Sequence, residues 1–486
     1  MTDQQTLQKN PGLARWLAVT LGVSLLMRLL LVLLYQPIAY SDTKSYWRLA
    51  GSVRNGFERY DGTRTPGYPA FLALVGSDEV AFFLQMLMGL ATTLLLFYIV
   101  WRLTRRPALA GLAGLAHSLN LGQLFFEANL LTETLTTFLL ALCMAGMLIW
   151  LESPARRSPW LALALGLVSA LALLVRPLFI FLPVWMFVFL LASLLAEKAA
   201  SWRLSALLRG LPRLGAPAAL RLAAFLLPVI LLAGGWVTFI HARFGDWGLT
   251  TMTGYHLVQH TGNFFEYVPD EYADLRDTYL EYRDAHIAEY GTQTNTIWEA
   301  IPALTEVSGL HFYDLSRTLA RISIDLILHH PDLYLRNVLK GWALFWLAPV
   351  YWQSQSFTWQ AAVPALKLLI QSQRGLLVAG NAAFVILSLI VVIRAIRAHP
   401  LTRRLPPFFW FLTSSIWITS ILQSLLDHGD NPRFLVPLQS LLMAWLIWVI
   451  AHAWQAARKK IAKMGALRGF ATQRTHFCEI SDEEAL

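Results

Sequence analysis

The chain has 486 residues, 56% hydrophobic and only 14% charged, against about 25% charged in ordinary soluble domains. That is too little polar surface to clothe the two or three soluble domains such a length would form, so the bilayer is the solvent. The net charge of +9 lies in short clusters between apolar runs, the positive-inside pattern, which excludes nucleic acid as the partner; Cys143 and Cys478 alone build neither a disulfide framework nor a thiolate metal site.

The first apolar run, 13–34, is too long for a signal peptide and has no small-residue cleavage site, so it reads as a retained first helix. Further spanning helices are predicted near 81–101, 108–127, 133–151, 159–175, 178–196, 222–242, 375–393, 407–425 and 433–453. Basic clusters separate alternate pairs: Arg102, Arg105 and Arg106; Arg156 and Arg157; Lys198 to Arg221; Arg394 to Arg404; and Arg458 to Arg468. All five are cytoplasmic only if both termini are, which requires an even number of crossings, about ten. Residues 335–351, rich in tryptophan, then form a re-entrant or interfacial helix. A paired crossing through 363–371 would raise the count to about twelve.

The expected fold is thus an all-α polytopic membrane protein of about 10–12 transmembrane helices, with outer-face amphipathic helices and one large outer loop. An N-terminal membrane module (1–243) contains a polar first outer loop (36–80). The large outer loop (244–334) holds 14 of the 30 acidic residues, and its middle, 270–290, is expected to be a short amphipathic helix. C-terminal membrane helices (335–453) lead to a tail (454–486) that is basic, then polar and expected to be disordered.

Charged residues at the outer ends of these helices carry the chemistry. Asp42 opens a predicted amphipathic helix over 43–56, whose Tyr46, Leu49, Ala50, Val53 and Phe57 share a face. It is either an N-cap or a carboxylate held where lipid meets water. Arg64 precedes the rigid turn Thr65-Pro66-Gly67-Tyr68-Pro69. Glu133 lies at the outer end of the fourth helix, costly there unless paired or wetted. His117, Asn120 and Gln123 share one face of the third helix and are expected to join helices. Arg176, before Pro177, is an outer arginine that calls for an anion. In Asp427-His428-Gly429-Asp430-Asn431-Pro432-Arg433, Arg433 opposes the dipole of the last helix and needs an anionic partner, with Asp430 the nearest. The histidines offer one pair at helical ligand spacing, His256 and His260. No metal site is assigned, no cofactor is called for, and a divalent metal is not indicated.

In order along the chain, Ser41-Asp42-x-x-x-Tyr46-x-x-x-Ala50, then Arg64-x-Pro66-Gly67-Tyr68-Pro69, Leu131-Thr132-Glu133-Thr134, Val175-Arg176-Pro177 and Asn431-Pro432-Arg433-Phe434-x-x-Pro437 closely resemble the landmarks of bacterial GT-C membrane glycosyltransferases. These are relatives of dolichyl-phosphate-mannose–protein mannosyltransferases and lipid A aminoarabinose transferases. The resemblance spans roughly 14–453. It implies a site on the outer face of the inner membrane, a polyprenyl-monophosphate-linked sugar as donor, and the first-loop acid, here Asp42, as general base. Thr43 stands where many relatives carry a second acid.

Such a reaction displaces a good leaving group, so it needs one base for the acceptor hydroxyl and cations for the growing phosphate charge. Asp42 is the expected base, and Arg64, Arg176 and Arg433 are the expected phosphate clamps. Glu133 would orient sugar or acceptor, and Tyr68, His428 and Asp430 complete the substrate-contacting candidates. One displacement inverts the anomeric carbon. The acceptor is a hydroxyl of a protein, lipid or polysaccharide. Two other classes fit the composition: a transporter or flippase of lipid-linked sugars, which calls for ionisable residues at mid-depth and broken helices in paired halves, and an oligosaccharide ligase using diphosphate-linked donors.

Overall fold

The computed structural model describes residues 11–199, 202, 214–397, 405–427, 429 and 431–458. His428, Asp430, much of the third and fourth basic clusters and the tail beyond 458 lie outside the described residues. The rest is built of helices: α1 (Pro11–Leu34), α2 (Ser41–Arg54), α3 (Gly67–Val75), α4 (Asp78–Thr104), α5 (Pro107–Ser118), α6 (Leu121–Glu127), α7 (Glu133–Glu152), α8 (Pro159–Val175) and α9 (Phe181–Ala199). The series continues with α10 (Ala216–Phe244), α11 (Thr253–Thr261), α12 (Ala273–Tyr290), α13 (Thr296–Ser308), α14 (Phe312–His329), α15 (Pro331–Phe345), α16 (Val363–Ile396), α17 (Pro407–Leu426) and α18 (Asn431–Arg458). No strand occurs among the described residues; two isolated bridges, Tyr35 with Phe357 and Ile38 with Asn129, tie loops to helix ends.

Eight of these helices (α1, α4, α7, α9, α10, α16, α17 and α18) are long and apolar enough to cross a bilayer. The pair α5–α6, bent by 57°, makes a ninth. Helix α8 is shorter, at 17 residues, yet it runs antiparallel to α7 over the same thickness. Arg176 just beyond its C-terminus meets Glu133 at the start of α7, and Arg157 just before its start donates to Trp150 O near the end of α7. Counting α8, the described residues hold ten candidate crossings, the lower end of the expected range.

Two expectations about 335–371 are now decided. Helix α15 has 15 residues, about 22 Å at 1.5 Å per residue, too short for a hydrocarbon layer of about 30 Å. The supposed paired crossing at 363–371 is not separate. It is the first part of α16, which runs unbroken for 34 residues.

Helix α10 contains Pro228 and, directly after it, a π-turn over Ile230–Gly234. A proline inside a helix removes a backbone donor and crowds the preceding turn, and a widened turn accommodates the misfit. The break between α5 and α6 falls at Leu119-Asn120, where the Asn120 side chain accepts from Gln123 N–H and starts the second segment. The face shared by His117, Asn120 and Gln123 is used as expected. His117 Nδ1 meets Ser440 Oγ at 2.7 Å and Gln123 Nε2 donates to Val436 O at 2.7 Å, fastening the bent pair to α18.

Helices α11 to α14 and the short turns between them enclose their own apolar core, with Tyr255, Phe265, Tyr279, Leu304, Leu315 and Leu326 buried. The expected helix over 270–290 is a single 3-10 turn followed by α12. Its outward side carries Arg276 between Asp270 and Asp277, and Arg283 between Glu266 and Asp284. Exposed pairs of this kind add little stability each; what holds the unit is its core.

One feature had no signal in the spacing. Arg28 of α1 and Glu127 of α6 form a buried ion pair at 2.6 Å, with Arg28 Nε also donating to Met86 O. Helix α4 makes room for it at Gly89, where a Cβ would lie 2.0 Å from Glu127 Oε1.

Candidate active site

The local sequence frees each charged group before the fold assembles them. At the start of α2 the N-cap position is Tyr40. Thr43 Oγ1 accepts the Tyr40 N–H and donates to Leu130 O. The N-cap reading of Asp42 therefore fails: Thr43 does the capping, and the Asp42 carboxylate is left to point elsewhere. At the end of α8, Pro177 bars helical geometry for the residue before it; Arg176 accordingly takes extended angles, φ −143° and ψ 108°, and turns off the helix axis. Its guanidinium lies over the Phe434 ring at 4.3 Å.

Gly67 explains why the Pro66-Gly67 turn sits here. A Cβ on it would lie 2.6 Å from the backbone of Leu174 and Val175, so only glycine lets the turn touch the end of α8 and bring Arg64 toward Arg176. Gly67→Ala is expected to push α3 off α8, lowering stability by about 1–3 kcal/mol, with a larger proportional loss of activity than of folded protein. Thermal unfolding beside specific activity checks it.

Five charged side chains then meet. Asp42 Oδ1 accepts from Arg64 Nη2 at 2.7 Å, and Asp42 Oδ2 accepts from Arg433 Nη1 at 3.2 Å. Arg433 also donates through Nε and Nη2 to both oxygens of Glu133. Arg176 Nη2 donates to Glu133 Oε1 at 3.2 Å. Glu133 is fully buried, while Asp42 and Arg64 are each more than a quarter exposed, so the network runs from the bundle interior to an open edge. Three guanidiniums face two carboxylates, a surplus of one positive charge. Asp430, the nearest acid in sequence, was the expected partner of Arg433 and lies outside the described residues; Glu133 and Asp42 bind the guanidinium instead, because α7 and α2 place them there.

Burial alone would raise the Asp42 pKa, but the Arg64 and Arg433 guanidiniums outweigh it and hold the carboxyl below its usual range. A depressed folded-state pKa adds stability above the unfolded value of about 3.9, lost as pH falls through the lower folded value. The unfolding difference between wild type and Asp42→Asn is therefore expected to stay constant from neutral pH to about pH 5, vanishing only below the ordinary carboxylate range. Unfolding midpoints measured across that range test this.

The network lines a cavity of about 440 Å³. Asp42, Asp427, Arg64, Arg176 and Arg433 supply its charge; Val175, Leu178, Ile180, Leu257, Leu426 and Phe434 supply apolar wall. A second cavity, about 570 Å³, shares Thr63 and Arg64 with the first and is lined by Arg48, Arg59, Tyr60, Asp61, Arg243 and Tyr313.

Tyr68 is not part of this site. It is fully buried, and its hydroxyl donates to Gln85 Oε1 at 3.0 Å, while Gln85 Nε2 donates to Glu127 O and Asn129 O. Its role as a substrate contact is corrected to a structural one, linking α3 to the α6–α7 turn. His428 lies outside the described residues. Sequence reasoning passed over Asp427 and weighed His256 only as a metal ligand. Both line the first cavity, with His256 Nδ1 at 3.1 Å from Asp427 Oδ2. The available signal was an acid directly at the end of a predicted spanning helix. Among the described residues no group of three or more His, Cys, Asp or Glu is placed to hold a metal ion.

Residues 69–210 match the dolichyl-phosphate-mannose-protein mannosyltransferase family. The matched stretch contains Glu133 and Arg176, and leaves Asp42, Arg64 and Arg433 outside it. No curated protein matches the chain. Two solved structures align with the chain. One is the archaeal oligosaccharyltransferase AglB from Archaeoglobus fulgidus, in complex with an inhibitory peptide and a dolichol-phosphate, at 12% identity and TM-score 0.41, covering 93% of this chain and 52% of AglB. The other is ArnT from Cupriavidus metallidurans bound to undecaprenyl phosphate, at 13% identity and TM-score 0.36, covering 88% of this chain and 77% of ArnT. The chain thus spans about half the length of AglB.

Proposed function

We propose that this protein transfers a sugar from a polyprenyl-monophosphate carrier to an acceptor hydroxyl, with inversion, at the outer face of a bacterial inner membrane. The observation that carries the reading is the convergence of Arg64, Arg176 and Arg433 with Asp42 on a cavity that also has apolar wall from Val175, Leu178, Ile180, Leu257, Leu426 and Phe434. The match to a mannosyltransferase family over 69–210 supports it. So does the position of Arg64 Nε, which is buried with no hydrogen-bond partner among the described residues and is available to an anion.

Charge fits the reaction at both ends. A sugar joined to prenyl phosphate is a phosphodiester with one negative charge, equal to the surplus positive charge of the resting network. When the acceptor oxygen attacks the anomeric carbon, the bond to phosphate breaks and the electron pair stays on the phosphate, which becomes a dianion. The hydroxyl proton passes to Asp42, which becomes neutral and raises the surplus to two. Guanidiniums drawn toward the phosphate also release Asp42, restoring its basicity at the moment it is needed. Apolar walls suit the prenyl chain, and the second cavity gives the acceptor a separate approach past Arg64.

Chain direction supports the outer-face reading. Glu133 and Arg433 begin α7 and α18 and Arg176 follows α8, so they share one end, and the basic residues around Arg102, Arg156 and Arg458 fall at the other, which the positive-inside bias places in the cytoplasm. The test is incubation of purified protein with a panel of polyprenyl-phosphoryl sugars, following release of polyprenyl phosphate. Release dependent on a hydroxyl acceptor supports the reading; no release from any donor, with the protein folded, ends it.

A further inference from the structure

We infer that His256, held by Asp427, is a second proton-transfer residue of the cavity and the final holder of the proton that the acceptor gives up. The inference rests on the sugar-transfer reading above. Its geometric basis is a contact between residues 171 positions apart, made where the α11–α14 unit meets the end of α17. Asp427 Oδ1 accepts Gly429 N–H at 2.8 Å and Asp427 Oδ2 lies 3.1 Å from His256 Nδ1, so the carboxylate is fixed at both ends. Trp298 lies edge-on to the imidazole at 5.7 Å. A carboxylate at Nδ1 assigns that nitrogen the proton and leaves Nε2 with a lone pair. One third of the side chain is exposed, and the residue lines the cavity that holds Asp42. This is the orienter–imidazole half of a base dyad.

The cavity needs such a group because of how Asp42 is held. Both of its oxygens are taken by arginines at rest, and guanidiniums beside it make it a weak base. A proton taken by Asp42 in the transfer step then passes through water in the shared cavity to the lone pair on Nε2 of His256. Asp42 returns as a carboxylate to Arg64 and Arg433, and the imidazolium is balanced by Asp427. The network surplus then falls back to one positive charge against a phosphate dianion, which favours departure of the prenyl phosphate. Asp427 at the end of α17 meets the imidazole, His260 lies one turn along α11, and the other charged and titratable groups of the cavity are Asp42, Tyr46, Arg64, Arg176 and Arg433. From α13 it meets the neutral Trp298 ring.

The two bases are separable by kinetics. With a polyprenyl-phosphoryl sugar that the wild type uses, His256→Gln is expected to keep a first turnover while its steady-state rate falls roughly 10²-fold. Free imidazole in the buffer should restore part of that rate, and Asp427→Asn should act in the same direction. Wild-type steady-state turnover by His256→Gln overturns the proposal, as does loss of the first turnover together with the later ones. A second arm needs no activity: diethyl pyrocarbonate labelling of the full-length protein, mapped by mass spectrometry. His256 should be labelled, more slowly once undecaprenyl phosphate is added. An unlabelled His256 overturns the dyad even if sugar transfer is established. Labelling of His256 in a wild type that releases no prenyl phosphate from any donor overturns the sugar-transfer reading, and with it this proton step.

Discussion

Asp42→Asn is expected to reduce sugar transfer roughly 10³-fold, within the range for loss of a general base, while the protein stays folded and inserted. The amide keeps the shape and can still accept from one of the two arginines through its single oxygen, with its NH2 toward the other, but it cannot take a proton. Because the substitution removes one negative charge, the surplus at the site rises from one to two, so undecaprenyl phosphate should bind the variant more tightly than the wild type. Loss of transfer with tighter product binding is the diagnostic pair, measured by steady-state release and by equilibrium binding. A variant that binds the lipid phosphate more weakly would show that Asp42 contributes by placing the arginines rather than by taking the proton.

Arg433→Gln is expected to have the largest effect on stability. Arg433 holds Glu133, which is fully buried, and also reaches Asp42. Removing one partner of a buried ion pair typically costs about 3–5 kcal/mol, because the remaining charge is left in a medium that cannot solvate it; the Arg176 contact at 3.2 Å keeps the value toward the lower end. Transfer should be lost as well, since a phosphate clamp is gone. The double variant Glu133→Gln/Arg433→Gln separates the two effects: neutralising the stranded carboxylate should recover most of the stability and none of the activity. Denaturation in detergent beside the release assay reads both. Full recovery of activity by the double variant would show that Arg433 serves only as the counter-ion of Glu133.

Five of the eight candidate site residues meet in one network, and what made them visible was local. Asp42, Arg64, Glu133, Arg176 and Arg433 each stand at or near a helix end, and Arg64, Arg176 and Arg433 stand beside a proline turn. Charge at such a boundary is costly without a partner, so its presence is informative without any knowledge of the partner. Tyr68 misled for the same reason. It belongs to the motif that makes the Gly67 turn, and proximity to that turn does not say which way a ring points; here it points inward to Gln85.

Partners were not legible. Arg433 had Asp430 three residues away, and its carboxylates proved to be Asp42 and Glu133, 391 and 300 positions distant. The Arg28–Glu127 pair, 99 positions apart, and the His256–Asp427 contact left no pattern in spacing at all. A helix end advertises a need for charge, but a pair of helix ends has no period.

Ten runs of apolar residues of bilayer length, punctuated by prolines, glycines and basic clusters, dictated a helical membrane bundle, because each span satisfies its own backbone hydrogen bonds and needs no distant strand to do so. The same local chemistry fixed which charged groups would stand at the helix ends. Which acid meets which base was decided only when the helices packed, since ion pairing and proton transfer act over a few ångströms between groups hundreds of residues apart along the chain.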